Sequence, residues 1–119
     1  MKLEVGMYVR TNDGYIFKLG YYDKKEKRWM YFVEEDWYPV YESESELAKA
    51  SHNIIDLIEV GDYVNGYKVS FKDNDYKPFV QCDYPVQEGT TNHYRFYEEA
   101  IYSIVTKEQF SQMEYKVGE

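Results

Sequence analysis

The residues of this sequence with the most direct chemical potential are two histidines and one cysteine, His52, His93 and Cys82. Zinc sites usually contain a pair of histidines or cysteines a few residues apart. Here the histidines stand far apart, and His52 has only Asp56 four residues on. Cys82 has neither a local basic neighbour nor a second thiol to activate it. We therefore expect no metal site and an inert, buried thiol.

The acidic stretch Asp73–Asp75 begins like a calcium loop, but the rest of that pattern is missing. A loop of the EF-hand type needs a glycine at its sixth position and a glutamate at its twelfth. This sequence has Pro78 and Tyr84 there. Neither a glycine-rich phosphate loop nor a G-x-S-x-G nucleophile elbow occurs. The sequence thus predicts a protein that is not an enzyme and needs no cofactor.

Aromatic and acidic residues are the better candidates for a functional surface. The 119 residues include 15 tyrosines, and tyrosine and tryptophan are enriched in binding hot spots. One interpretation is that these side chains only cover a small core, with their hydroxyls in water. The other is a partner-binding surface, for which we select Trp29, Glu34, Glu35, Asp36, Trp37, Tyr38, Tyr41, Glu42, Glu44, Glu46, Tyr84, Tyr94 and Tyr97.

The net charge restricts the class of partner. Fourteen Lys+Arg against 22 Asp+Glu give a formal net charge of -8, which opposes binding to nucleic acid and to anionic membranes. Four basic residues crowd into Lys24–Arg28, whereas the segment 34–46 contains acids and no base. We expect a partner protein with a basic surface.

The absence of targeting patterns in the sequence also predicts the cellular location of the protein. No apolar run approaches the ~18 residues of a membrane span, and the first residues lack the plan of a secretory signal. A single cysteine excludes an internal disulfide. We expect a cytoplasmic protein.

An internal repeat predicts the elements that position these residues. Leu3–Gly6 matches Ile58–Gly61 at an offset of 55 residues, and Gly14–Tyr15 matches Gly66–Tyr67 at an offset of 52. We place the extra length in one hairpin turn. Asn65–Gly66 suits a two-residue turn, which needs positive φ at both positions, and Gly14 suits the left-handed end of a three-residue loop.

Each half of the chain continues with a second strand pair, a polar acidic stretch, a final strand and a capped turn. The predicted strand pairs are Tyr15–Tyr22 with Arg28–Val33, and Tyr67–Lys72 with Lys77–Asp83. At the final strands the repeat aligns Ala48 with Ala100 in sequence. A capping box, Thr106 with Gln109, predicts a helix over Lys107–Met113, and a single turn is expected near Ile54–Leu57. The predicted core residues are Tyr8, Val9, Ile16, Phe17, Tyr63, Val64 and Phe71.

These elements predict a mainly β protein of two tandem SH3-like barrel lobes, residues 1–57 and 58–119. The second lobe carries the short helix and a terminal strand in "EYKVGE". No Gly/Ser/Pro-rich linker separates the halves, and neither half would bury enough apolar surface alone. We therefore expect the lobes to dock against each other.

The stretches "MKLEVGMYVRT", "SHNIIDLIEVGDYVNGYKV" and "IYSIVTKEQF" resemble those of small, largely uncharacterised proteins encoded by phages and prophages of low-GC Gram-positive bacteria. The resemblance covers about half of the chain and omits segments 24–47 and 72–95, which contain the aromatic and charged loops that would meet a partner. It implies an accessory protein in the bacterial cytoplasm that serves host takeover or evasion of a defence system, as anti-CRISPR proteins do. It supplies no catalytic residues.

Two functional hypotheses from different classes follow. In the first, the acidic aromatic surface inhibits a host or defence protein by binding a basic groove. In the second, the chain sequesters a small phosphorylated nucleotide, with the base stacked on tyrosine or tryptophan. Its phosphates would then be bound by Arg10, Arg28, Arg95 or the Lys24–Lys27 cluster. Direct nucleic-acid binding by an SH3-like module is third, because the net charge opposes it. The sequence does not determine the oligomeric state.

Overall fold

The computed structural model describes residues 2–87 and 90–114, except the side chains of residues 44, 84–87, 90 and 91. The predicted terminal strand in residues 115–119 lies outside this range. The chain divides into two compact units between Leu57 and Ile58. Each unit contains one five-stranded antiparallel sheet, so the prediction of a mainly β protein is confirmed.

The first unit is built from strands β1 to β5, in the sheet order β4-β3-β2-β1-β5. Their bounds are β1 Tyr8–Thr11, β2 Ile16–Asp23, β3 Arg28–Val33, β4 Asp36–Pro39 and β5 Leu47–Ser51. Two 3₁₀ turns flank the last strand, Glu44–Glu46 before it and Ile54–Leu57 after it. Four strands thus form a meander, and the fifth returns to pair with the first.

The second unit repeats this order with strands β6 to β10, as β10-β6-β7-β8-β9. Their bounds are β6 Tyr63–Val64, β7 Tyr67–Asp73, β8 Phe79–Gln87, β9 Thr90–Tyr97 and β10 Ile104–Val105. A 3₁₀ turn, Glu98–Ala100, precedes β10, and helix α1, Lys107–Met113, follows it. Among the described residues neither sheet closes into a barrel, because the two edge strands of each sheet do not pair with each other.

The two units share a hydrogen-bond pattern at their first hairpins. The Gly6 amide donates to the Leu19 carbonyl at 2.9 Å, and the Gly61 amide donates to the Val69 carbonyl at the same distance. Both glycines have positive φ, 87° and 99°, a conformation that other residues adopt at a cost. The sequence repeat is therefore a structural repeat.

The alignment of the two hairpins needs one correction. Tyr8 pairs with Lys18 and Tyr63 pairs with Lys68, so the offset in the second strand is 50, not 52. The reason is that the first hairpin is longer in its paired strands as well as in its loop. The predicted turn geometry is confirmed, since Asn65 and Gly66 have φ of 52° and 88°.

The last strand of each unit also shifts. Ala50 pairs with Val9, and Ile104 pairs with Val64, so the expected match of Ala48 with Ala100 is wrong by two residues. The turn at Ile54–Leu57 and the helix at Lys107–Met113 lie where they were predicted. Thr106 and Gln109 form the capping box that begins the helix.

The fourth strand was not placed by the sequence. β4 is only four residues long, follows an acid-rich turn and ends at Pro39, so the local sequence indicates a strand only weakly. Cross-strand aromatic pairs, Tyr31 with Tyr38 and Phe32 with Trp37, hold it against β3. Part of the predicted polar acidic stretch therefore lies on a strand.

Each unit has its own core, and one core prediction is wrong. In the first unit Val9, Leu19, Val40 and Leu47 form a buried cluster. In the second unit Val64, Val69, Val80 and Cys82 are buried. Among the seven predicted core residues Val9 and Val64 are fully buried, and Tyr8, Ile16, Phe17 and Tyr63 are half-buried.

Phe71 is the exception, with 49% of its surface exposed. The pairing of β7 with β8 shifts between Val69 and Phe71. A bulge adds one residue and so reverses which face the following side chains occupy. Phe71 therefore lies on the face opposite Val69.

Asp62 connects two elements of the second unit from a fully buried position. Its Oδ1 accepts a hydrogen bond from the backbone N–H of Lys107 at 2.9 Å, and its Oδ2 accepts one from the N–H of Glu59 at 2.7 Å. Both carboxylate oxygens are thus used, one at the turn before β6 and one at the start of α1.

We expect Asp62→Asn to destabilise the protein by about 1–3 kcal/mol, because an amide replaces one acceptor with a donor and leaves a buried N–H unsatisfied. Urea unfolding followed by circular dichroism measures this change. Asp75→Asn, on an exposed turn, is the matched control. Equal stabilities of the two variants would contradict the role of Asp62.

Candidate functional site

The outer face of strands β2, β3 and β4 carries an exposed aromatic cluster. Successive residues of a strand face opposite sides. Trp29 and Tyr31 pack against the core of the first unit, so Phe32 lies on the other face. Trp37 pairs with Phe32 and shares that face. We call Tyr21, Phe32 and Trp37 the outer aromatic cluster.

The rings of this cluster contact one another while remaining open to water. The ring centroids of Tyr21 and Trp37 lie 4.8 Å apart, edge to face, and those of Phe32 and Trp37 lie 5.0 Å apart. The three side chains are 39%, 55% and 43% exposed. Exposed contiguous apolar groups of this kind often mark interaction surfaces.

A bulge at Gly20 creates this arrangement. The pairing of β2 with β3 shifts between Leu19 and Tyr21, which turns Tyr21 away from the core. A Cβ atom on Gly20 would overlap with Cζ3 of Trp37 and lie 2.6 Å from its Cη2. The indole therefore occupies the space that glycine leaves empty.

An acidic tip borders the cluster. Val33 pairs with Asp36 and closes a two-residue turn, Glu34–Glu35, whose φ angles are 49° and 68°. A left-handed conformation costs a residue with a side chain about 1–2 kcal/mol. The same type of turn in the second unit uses Asn65–Gly66, so the two glutamates occupy this turn at a backbone cost. We call Glu34, Glu35 and Asp36 the acidic tip.

The structure separates the other predicted site residues of the first unit from this face. Tyr38 lies 6.0 Å from Tyr31, between ring centroids, and pairs with it on the core-facing side. Trp29 packs against the core. Tyr41 is 75% exposed and lies under the Arg28 guanidinium, 5.3 Å from its ring centroid.

The acids after β4 are also apart from the acidic tip. The Glu46 carboxylate accepts a hydrogen bond from the Ser43 hydroxyl at 3.1 Å, and the Glu46 backbone carbonyl accepts one from the backbone N–H of Asn12. Glu44 lies in the same 3₁₀ turn, and its side chain is outside the described residues. Glu42 lines a cleft.

This cleft has a volume of about 350 Å³ and lies on the core-facing side of the first unit. Its floor is apolar and its walls are aromatic and charged. The lining residues are Leu3, Tyr22, Lys27, Arg28, Trp29, Val40, Glu42 and Leu47.

The remaining predicted site residues belong to the second unit. Tyr94 contacts Tyr67, with ring centroids 5.0 Å apart. Tyr97 contacts Phe79 at 5.7 Å, and the Lys77 ammonium lies 4.4 Å from the Tyr97 ring centroid. Tyr84 is part of β8, and its side chain is outside the described residues.

The arginines that were candidate phosphate ligands have different roles. Arg10 is 1% exposed and donates from Nη1 to the Leu57 carbonyl at 2.9 Å, so it is a structural residue. Arg95 lies over the Phe79 ring in the second unit. Of the three, Arg28 lines the cleft.

The histidines pair with carboxylates. His52 Nε2 lies 3.0 Å from Glu4, and this hydrogen bond lowers the pKa of the Glu4 carboxyl. His93 Nδ1 lies 2.6 Å from Asp83 Oδ1, which also accepts from the Ser70 hydroxyl at 2.9 Å. The Ser70 hydrogen bond, followed by that of His93, lowers the pKa of Asp83.

Ser70, Asp83 and His93 do not have the order of a nucleophilic triad. In such a triad the imidazole stands between the hydroxyl and the carboxylate, whereas here the carboxylate stands in the middle. Among the described residues no group of three or more histidines, cysteines and acids could hold a metal ion.

Tyr21, Phe32 and Gly20 were missed by the sequence analysis. Both aromatic residues lie in predicted strands, Tyr15–Tyr22 and Arg28–Val33, but no sheet face was assigned to them. Gly20 could have indicated the bulge that exposes Tyr21, because a glycine inside a strand pattern often marks a bulge.

Comparisons of this chain with protein-family models, curated proteins and solved structures find no match. Across residues 2–87 and 90–114, the helices are too short or too polar to span a bilayer. The function is therefore inferred from the geometry above.

We expect Gly20→Ala to displace Trp37 and to cost about 1–3 kcal/mol of stability, because overpacking forces side chains out of their rotamers. A red-shifted tryptophan emission and a lower urea midpoint would report this. In a Trp37→Leu background the cost of Gly20→Ala should fall to roughly 0.5 kcal/mol or less. An unchanged cost in that background would show that Trp37 is not the obstacle.

We expect Cys82 to resist alkylation in the folded protein. The thiol is fully buried, and burial, followed by the Asp83 charge, raises its pKa to about 11, so the thiolate is scarce at neutral pH. Iodoacetamide at pH 7.5 should label it only after urea unfolding. Complete labelling of the native protein within minutes would contradict its burial.

Proposed function

We propose that this protein is a non-enzymatic binding protein that recognises a basic surface on a partner protein through the outer aromatic cluster and the acidic tip. The observation that carries the proposal is the Glu34–Glu35 turn. Its two left-handed glutamates stand at the end of the hairpin that also presents Trp37.

The acidic tip and the outer aromatic cluster have different roles in this proposal. The acidic tip attracts a positively charged partner and increases the association rate. The aromatic rings bury their exposed area in the complex and slow dissociation, as aromatic hot spots do. The formal net charge of -8 supports the same choice of partner.

The biological setting comes from the resemblance to phage and prophage proteins. We propose that the partner is a host or defence-system protein of a bacterium and that binding inhibits it in the cytoplasm. A basic nucleic-acid channel is a surface of the required charge. The oligomeric state is left open by this proposal.

We propose further that the two units are SH3-like. Support comes from the shared strand order, in which the fifth strand lies beside the first and a 3₁₀ turn precedes it in both units. An SH3-like module uses exposed side chains on a small rigid sheet, which suits a surface-binding role.

The sharpest test replaces the strained turn. Glu34→Asn combined with Glu35→Gly should stabilise the protein by about 1–2 kcal/mol, because both residues tolerate positive φ. The same variant should associate with its partner about three- to tenfold more slowly at low salt, because two steering charges are lost. Higher stability with weaker binding is an outcome that a purely structural turn would not give.

The partner is obtained by pull-down from bacterial lysate, and its association rate is measured by surface plasmon resonance at two salt concentrations. Asp13→Asn combined with Glu26→Gln removes the same charge from exposed turns and is the control. Trp37→Ala should increase the dissociation rate. The proposal fails if the turn variant and the control associate at the same rate, or if the captured macromolecule is a nucleic acid.

A further inference from the structure

We propose that the cleft of the first unit is a binding site for a small ligand that combines a planar aromatic ring with a phosphate, such as a mononucleotide. This site is independent of the outer aromatic cluster. Trp29 lines the cleft and packs on the core, whereas Phe32 lies on the opposite face of the same strand.

The ring of the ligand has a defined place. Tyr22 and Trp29 are adjacent across β2 and β3, with ring centroids 5.5 Å apart and planes 65° apart. Two nearly perpendicular rings form a corner in which a third ring can stack on one face and contact the other ring. Because Trp29 is fixed by the core, little side-chain freedom is lost on binding.

The floor of the cleft favours an aromatic group over a polar chain. Val40 and Leu47 are each 8% exposed and belong to the buried cluster, and Leu3 packs against it. Water above such a floor has few hydrogen-bond partners, so its displacement by an apolar ring is favourable.

Two cations stand where the phosphate would lie. Lys27 and Arg28 line the cleft beside the aromatic pair. The Arg28 guanidinium donates to the Val40 carbonyl at 3.3 Å and lies over the Tyr41 ring, which holds it at the rim. Arginine and lysine are the residues that bind phosphate most strongly.

The size and the remaining charge restrict the ligand further. Ligand pockets range from about 300 to 1,000 Å³, and a cleft of about 350 Å³ accommodates one base with its phosphate rather than an oligonucleotide. Glu42 is the acid on the cleft wall, and it opposes ligands with many negative charges.

The test uses isothermal titration calorimetry of the full chain with adenosine monophosphate, adenosine and inorganic phosphate as separate probes. Adenosine monophosphate should bind, and each fragment should bind at least tenfold more weakly. Two-dimensional NMR should place the largest shifts at Tyr22, Lys27, Arg28 and Trp29. A flat titration at millimolar nucleotide, or shifts confined to the second unit, would overturn the proposal.

Matched charge variants separate a site from general attraction. Lys27→Asn suits the left-handed backbone of this residue, φ 55°, and should weaken nucleotide binding roughly three- to tenfold. Arg28→Gln should do the same, and Glu42→Gln should strengthen it. Lys25→Asn removes the same charge from the same turn outside the cleft and should change nothing. Equal losses for Lys25→Asn and Lys27→Asn would overturn the site.

The failure of this proposal and that of the partner-binding proposal are distinguishable. The turn variant at Glu34 and Glu35 should bind adenosine monophosphate as the natural chain does. Arg28→Gln should leave association with the basic partner unchanged, because Arg28 begins β3 and the acidic tip follows its end.

Discussion

The bulge in β2 is the constraint on which the surface of the first unit depends. One extra residue between Leu19 and Tyr21 keeps Leu19 in the core and turns Tyr21 outward. Because the extra residue is Gly20, the Trp37 indole can lie directly on the backbone. Strand β4 is thereby held by the contacts of Trp37 as well as by its hydrogen bonds to β3, and the turn that precedes it brings the acidic tip beside the cluster.

Opposite charges are kept apart by the length of one strand. The turn that contains Lys24, Lys25 and Lys27 precedes Arg28, and the acidic tip follows Val33. Six residues of strand span roughly 20 Å, which is more than two Debye lengths of about 8 Å at physiological salt. The two turns therefore create separate fields, one above the cleft and one beside the outer aromatic cluster. An acidic chain can in this way offer one site to a cationic partner and another to a small anion.

The second unit shows what the repeat retains and what it changes. The backbone hydrogen bonds at the glycine turns and the position of the bulge are the same. At the bulge, however, the second unit has Ser70 where the first has Gly20. The Ser70 hydroxyl bonds Asp83, whereas Gly20 leaves space for the Trp37 indole. The shared backbone carries the fold, and the side chains that differ give each unit its own surface.

The sequence by itself determined the features that depend on neighbouring residues. The Asn65–Gly66 turn, the Thr106 capping box and the matching Gly6 and Gly61 turns are set by backbone and side-chain preferences within a few positions, and all lie as expected. Tertiary structure alone decided which face each side chain occupies after a bulge, the pairing of the short strand β4 and the burial of Arg10 against the Leu57 carbonyl. These features depend on partners distant in sequence, whose registers no local pattern encodes.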